Sequence, residues 1–393
     1  MLWPLDTRWV AIFADYVFIL AGVVAGFIIS RAPKLAHHPD QSQVPGLLRP
    51  CKWRPAKLYE TFVSMRAIQL GSAGPSVSRI GLGCMGMSGI YGPADETESI
   101  ATIHAAIDAG INLLDTGDFY GMGHNEMLIG RAIRDRRDKV LLSVKFGAMR
   151  APNGAFIGVD GRPKAVRNFA AYSLQRLGTD HIDVYRLSRL DPDVPIEETI
   201  GAIADLVKSG HVRYIGLSEV GPATIRRAHA THPITDLQIE YALVTRGIET
   251  AILPTVRELG MAVTAYGVLS RGLLSNSQPA PAGDFRAHFP RFKGENLEKN
   301  RRLVNALADF AAGKGVSPAQ VALAWVLHRG DSIVPIMGAR KRTQLNECLA
   351  ALDLRLSPAD MEHLEGVASA SPIAGTRYDD AQMKMLDSER PVA

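Results

Sequence analysis

Eight short apolar runs, each separated from the next by a stretch of helical period, restrict the fold of this chain more than any other feature. They occupy residues 80–84, 112–115, 140–145, 182–187, 212–218, 237–240, 261–266 and 333–336. Runs this short and this rich in β-branched residues read as strands buried on both faces. Between them, Ile100, Ile103 and Ile107 share one helical face, as do Ile196, Ile200, Ile203 and Val207. Gly110, Gly178, Gly210 and Gly260 follow helical segments, where a left-handed terminating residue is needed. Ser317, Pro318 and Gln320 carry the signature of a capping box with proline in the first turn. Regular β–α alternation allows an open doubly wound sheet or a closed barrel. Eight strands over roughly 250–330 residues favour a closed α/β (β/α)8 TIM barrel. Residues 67–78 are predicted as an N-terminal hairpin turning at Ala73-Gly74 and closing the bottom of the barrel. Two insertions are expected, a long loop over 270–296 and an extra helix over 300–315, with additional C-terminal helices beyond.

The barrel is assigned to residues 65–393 and a non-domain extension to residues 1–64. Within that extension, residues 9–30 are apolar or small apart from Asp15, with Arg8 before and Arg31 and Lys34 after. The stretch is long enough to span a bilayer, which takes roughly 20 apolar residues. Cations on both flanks leave its orientation open, and no A-x-A site follows that would mark a signal peptide. Met65 opens the first segment patterned like a domain. The preferred reading is therefore that 1–64 is an upstream extension from a mis-assigned start, with a membrane anchor through 9–30 as the alternative. A formal net charge of +4 does not imply a nucleic-acid partner. Cys51, Cys84 and Cys348 lie far apart without a CxxC pair, which argues against structural zinc and a disulfide scaffold and suits a reducing, cytoplasmic setting. No metal is expected.

Residues 81–86, Gly-Leu-Gly-Cys-Met-Gly, satisfy G-x-G-x-x-G after a strand. A dinucleotide fingerprint needs the third glycine to enter a helix at once and an acid about 20 residues on. Here 87–93 is rich in turn residues and 101–106 holds no acid, so the glycines read as packing in the first barrel strand. Barrel enzymes place reactive groups at the carboxyl ends of their strands. Those ends offer Asp115 after the second run, Tyr120 in the loop that follows it, and Lys145 ending the third. A phenol with a pKa of about 10 is a weak acid at neutral pH. A nearby ammonium is expected to favour the phenolate, with Asp115 holding Lys145 in place and charged. Tyr120 then protonates a carbonyl oxygen as hydride reaches the carbon, a general-acid contribution of roughly 10²–10⁴. Taken alone, the lysine equally suits a Schiff-base nucleophile in an aldolase-type barrel.

The segments GLGCMGMS, DTGDFYG, NEMLIGRAI, SVKFG, DVYRLSRLDP, VRYIGLSEV, LQIEY, AYGVLSRGLL and VPIMGAR occur in that order. In this order and spacing, residues 66–369 resemble the aldo-keto reductases, in the bacterial branch near the pyridoxal reductases and channel β-subunit-like members. The resemblance implies that Asp115, Tyr120 and Lys145 are three members of a catalytic tetrad. Its usual fourth member is a histidine, and Ser188 stands in its place, which puts the substrate class in question. A serine hydroxyl still donates a hydrogen bond but carries no charge. The same resemblance implies a nicotinamide site. Ser218 and Gln238 would hold the carboxamide, Tyr266 would stack on the ring, and Gly267, Leu269, Arg271 and Gly272 would line the pyrophosphate. Gly338 and Arg340 open a helix after the eighth strand, where Arg340 would take a 2′-phosphate, favouring NADPH, with Gln344 and Glu347 toward the adenine.

The leading expectation is an NADPH-dependent oxidoreductase that reduces aldehydes or ketones of small molecules. A nucleotide-sensing, weakly catalytic regulatory subunit is the second reading, kept by the missing histidine, and a lysine-nucleophile aldolase the third.

Overall fold

The computed structural model describes residues 65–390 apart from 276, 278 and 280–282. The extension 1–64 with its apolar stretch lies outside the described residues, among which no helix is long and apolar enough to cross a membrane.

A hairpin of β1 (Ala67–Gln69) and β2 (Ser76–Ser78) comes first, followed by β3 (Gly81–Gly83), β4 (Leu113–Gly117) and β5 (Leu141–Phe146). A second hairpin, β6 (Ala148–Arg150) and β7 (Phe156–Val159), precedes β8 (Ile182–Leu187), β9 (Val212–Ser218), β10 (Asp236–Glu240), β11 (Ala262–Tyr266) and β12 (Ile333–Gly338). Strands β3, β4, β5 and β8 through β12 pair in parallel and close into one barrel. Every apolar run of the sequence supplies one of its staves. Helices α1 (Glu96–Asp108), α2 (His124–Ile133), α3 (Pro163–Leu177), α4 (Ile196–Lys208), α5 (Pro222–Thr231) and α6 (Ile252–Glu258) fill the crossovers. Then come α7 (Gly294–Gly313), α8 (Pro318–Leu327), α9 (Arg342–Ala350), α10 (Pro358–Ala370) and the short α11 (Asp380–Lys384).

Alternation along the strands sorts side chains between two layers. Leu114, Leu142, Val144, Tyr185 and Leu217 face outward and pack with Ile103, Ile107, Ile200 and Ile203 of the helices. Leu113, Val184, Ala262, Val334 and Ile336 face inward and meet Ile68, Leu70 and Val77 of the first hairpin, which plugs the barrel floor as expected. Above that plug sits a charge pair with no solvent exposure, Arg186 Nη1 to Asp236 Oδ2 at 2.8 Å. Thr264 and Ser143 bond to the same guanidinium. Gly216 makes room for it: a Cβ there would lie 2.9 Å from the guanidinium carbon and 2.7 Å from Asp236 Oδ1.

The G-x-G-x-x-G stretch ends β3 and enters a short 3-10 turn at Met85–Ser88, with α1 starting only at Glu96. No helix terminus follows the glycines, so the packing reading holds. Two details differ from expectation, and the C-terminal helices are present as expected. The β6–β7 hairpin is a third insertion; its turn holds the hairpin signal Asn153-Gly154, but the flanking strands are too short to show a strand period. The extra helix begins at Gly294 rather than at 300, and the preceding loop contains 3-10 turns at Ser270–Ser275, Phe285–His288 and Pro290–Phe292. The chain after α10 folds back onto the barrel mouth.

Candidate active site

Asp115 and Lys145 point inward from adjacent strands near their carboxyl ends, and Lys145 Nζ reaches Asp115 Oδ1 at 2.6 Å. The other carboxylate oxygen accepts from Ser143 Oγ at 3.0 Å and from Gln238 Nε2 at 2.6 Å. Asp115 is thereby fixed by three side chains from two other strands, β5 and β10. Tyr120 opens a tight turn, Tyr120–Gly123, in which Gly121 and Met122 have φ of 57° and 53°. That turn folds the phenol back over the strand ends, with Lys145 Nζ 5.0 Å from its ring centroid. Phe119 braces the same ring edge-on at 4.8 Å.

The electrostatics depart from expectation in one respect. Burial raises the Tyr120 pKa well above its ordinary value, and Asp115 pushes it further. Burial likewise lowers the Lys145 pKa, against the opposing pull of Asp115. Desolvation of both groups outweighs the phenolate-favouring effect of the ammonium. A phenol that keeps its proton at neutral pH is nevertheless in the form a proton donor needs.

These groups form one end of a cavity of about 400 Å³, which every site residue read from the sequence lines. Ser188, Ser218, Gln238 and Tyr266 follow the catalytic end. Gly267, Leu269, Arg271 and Gly272 form the middle, and Gly338, Arg340, Gln344 and Glu347 the far end. The hydroxyls of Ser188 and Ser218 are buried and have no hydrogen-bond partner among the described residues, which fits a bound group that offers them one. Several polar groups already have partners. Gln238 spends its amide on Asp115. Arg271 pairs with Glu240 at 3.3 Å and lies between the rings of Phe289 and Tyr378. Arg340 Nη1 donates to the carbonyls of Tyr91, Gly92 and Pro93 at 3.0–3.2 Å. Gln344 accepts from the Arg340 backbone N–H, and Glu347 from Ser317 Oγ. The loop after β11 crosses to the loop after β3, where Phe285 N donates to Ile90 O at 3.1 Å.

The sequence pattern of the Aldo/keto reductase family matches residues 79–369, from the first barrel strand through α10. The chain belongs to the aldo/keto reductases. Among solved structures it is similar to a glycerol dehydrogenase from Gluconobacter oxydans, 28% identical, covering 78% of this chain and 96% of that one with a TM-score of 0.71. It is also similar to the holo form of an aldo-keto reductase from Bacillus halodurans, 29% identical, covering 80% of this chain and 99% of that one with a TM-score of 0.66. A thermostable aldo-keto reductase solved with the inhibitor epalrestat is 28% identical, covering 77% of this chain and 100% of that one with a TM-score of 0.61. Family and fold make this an oxidoreductase of carbonyl groups with a nicotinamide cofactor.

In this aldo/keto reductase the chain after α10 adds residues to the site that no local sequence signal announces. Arg377 binds both oxygens of Glu219, at 2.9 and 2.8 Å, and Ser388 Oγ and Tyr266 Oη add bonds of 2.7 Å to the same carboxylate. Burial opposes ionisation of Glu219, but Arg377 outweighs it and holds the carboxyl far below its usual range. Glu219 sits at a φ of 53°, a left-handed conformation uncommon outside glycine and asparagine. Tyr378 then places its hydroxyl 2.9 Å from that of Tyr266 and 3.3 Å from Arg189. The tail thus contributes a cavity wall, and its residues meet partners more than a hundred positions away in the chain. Arg150 and Phe156, from the second hairpin, line the cavity together with Phe119.

Proposed function

We propose that this aldo/keto reductase reduces the aldehyde or ketone group of a small molecule with NADPH, and that Tyr120 is the general acid. The observation that carries the reading is the convergence of Asp115, Lys145 and Tyr120 at one end of a cavity whose other end is marked by Arg340. Ser218, Tyr266 and Gln238 would hold the nicotinamide, and Arg340 at the start of α9 would meet a 2′-phosphate. When bound, the nicotinamide supplies the hydride. Tyr120 holds the proton destined for the carbonyl oxygen. Lys145 and Asp115 fix the charge beneath that phenol, and Ser188 offers the carbonyl a second, neutral hydrogen bond.

Serine at position 188 favours, as a second reading, a weakly catalytic subunit that senses the nucleotide. The lysine-nucleophile reading is set aside, since the family is one of reductases and the Lys145 amine is engaged by Asp115. Titration of NADPH and NADH, followed by quenching of intrinsic fluorescence and then by NADPH oxidation with an aldehyde panel, separates the two that remain. Binding with turnover supports the reductase. Tight binding without turnover supports the sensor, and absence of nucleotide binding by the folded protein overturns both. Tyr120→Phe should lower turnover by roughly 10²–10⁴ with NADPH affinity within threefold. A variant retaining most of its activity removes Tyr120 from the acid role.

A further inference from the structure

Six basic side chains line the cavity against two carboxylates, Asp115 and Glu347. Most of the cations have a partner. Lys145 meets Asp115, Arg271 meets Glu240 and Arg286 meets Asp284. Arg340 is spent on backbone carbonyls at the far end. Arg189 donates to the Ser188 carbonyl at 2.6 Å and to the Tyr378 hydroxyl. Arg189 and Arg340 have no carboxylate partner among the described residues, but each is held by two or more hydrogen bonds, whereas Arg150 has a single long one. Its hydrogen bond is to Gly154 O at 3.3 Å, within its own hairpin, and it forms no ion pair among the described residues.

The placement of Arg150 follows from the second hairpin. That hairpin begins two residues after the strand carrying Lys145, and its register sets Arg150 opposite Phe156. The guanidinium carbon lies 5.9 Å from the centroids of both Phe119 and Phe156. Phe119 is the ring that braces Tyr120. Arg150 is therefore one aromatic ring away from the proton donor, half-buried in the cavity wall. Burial lowers its pKa with no carboxylate to oppose the shift. Two aromatic faces recover part of the desolvation cost of a guanidinium, and an anion recovers more. The planar fork of arginine matches a carboxylate or a phosphate with paired bonds.

We propose that the carbonyl substrates of this enzyme carry an anionic group, a carboxylate or a phosphate, which pairs with Arg150 between Phe119 and Phe156 while the carbonyl sits at Tyr120. The proposal rests on the reductase reading and names its substrate class. The two aromatic rings beside Arg150 also favour an apolar spacer between carbonyl and anion.

The test measures kcat/KM at saturating NADPH for 4-carboxybenzaldehyde, 4-formylphenyl phosphate, methyl 4-formylbenzoate and benzaldehyde. A charge-assisted pair predicts that one of the anionic aldehydes exceeds the neutral ester by roughly 10–150-fold. Whichever anion gains more identifies the source. Arg150→Met should lower kcat/KM for that anionic aldehyde at least tenfold more than for benzaldehyde, and Arg150→Lys should restore part of the difference. Added salt should shrink the wild-type preference. Equal use of acid and ester by the wild type, a measurement that needs no variant to fold, overturns this proposal and leaves the reductase reading standing. A preference that survives Arg150→Met also overturns it. Failure of every aldehyde, neutral or charged, to oxidise NADPH overturns the reductase reading and this proposal with it.

Discussion

Replacing Arg377 by Met tests whether the chain after α10 is held on the barrel by charge. The variant leaves the Glu219 carboxylate buried with Tyr266, Ser388 and the Glu240 backbone N–H, and without its bidentate cation. Removing one partner of a buried pair costs about 3–5 kcal/mol, because the other charge is left uncompensated. The segment carrying Arg377 is attached by few elements, so the cost should surface as local opening rather than global unfolding. Amide exchange over residues 377–390 should accelerate by roughly two to four orders of magnitude, while barrel strands keep their protection. In the wild type, Glu219 has a depressed folded pKa. Its contribution is therefore full above the ordinary carboxylate range and is lost only as pH falls through that lowered value. Wild-type tail exchange, corrected for intrinsic rates, should not change between pH 7 and pH 5. In Arg377→Met, burial is opposed only by Arg189 and the remaining hydrogen bonds, so the Glu219 pKa should rise and protection should partly return as pH falls to 5. The double variant Arg377→Met with Glu219→Gln removes both charges and should exchange more slowly than Arg377→Met. Tail exchange within threefold of wild type, or costs of the two substitutions that simply add, would refute the reasoning.

Three further outcomes follow. Arg340→Ala should weaken NADPH roughly 10–150-fold more than NADH, measured as dissociation constants for both nucleotides; equal losses would confine Arg340 to tethering the loop at 91–93. Ser188→His should raise kcat for carbonyl reduction, and an unchanged kcat would mean that the cavity walls rather than the tetrad limit the reaction. Burial and the nearby Glu126 raise the Asp118 pKa to about 7, so its proton stabilises the fold fully below the ordinary aspartate range, and that gain is lost as pH rises through about 7. Asp118→Asn should therefore gain about 2 kcal/mol of stability over the wild type between pH 5.5 and pH 8.5, the upper half of a total effect of roughly 4 kcal/mol. Melting curves in which the gap does not widen with pH would contradict it.

The barrel was legible because its signals are local. Each strand is an apolar run, each crossover helix has a periodic face, and Gly110, Gly178, Gly210 and Gly260 have the positive φ expected at helix ends. The catalytic end was legible for a related reason: strand ends fix where Asp115, Tyr120 and Lys145 must meet. Burial energies were not legible, since the shifts of Tyr120 and Lys145 depend on what surrounds them in space. Nor were Arg377 and Tyr378, whose partners Glu219, Tyr266 and Arg189 come from distant strands. Arg150 belongs between these cases. Its hairpin had a turn signal at Asn153-Gly154, but strands of three and four residues carry too little period to be recognised.

The Arg186–Asp236 pair inside the barrel bears on how faithfully the barrel assembles. Side chains on a strand alternate between faces, so a slip of one residue exchanges inside for outside. A slipped β8 would turn Arg186 into the outer layer, where Tyr185 now stacks on Phe146 at 4.2 Å, and would strand Asp236 in the interior. Each stranded charge would cost several kcal/mol. Mispaired closures of similar hydrophobicity are therefore far less stable than the native one. A pair that adds little to the stability of the finished barrel can still reject wrong ones, since only one register lets both charges meet beside Gly216.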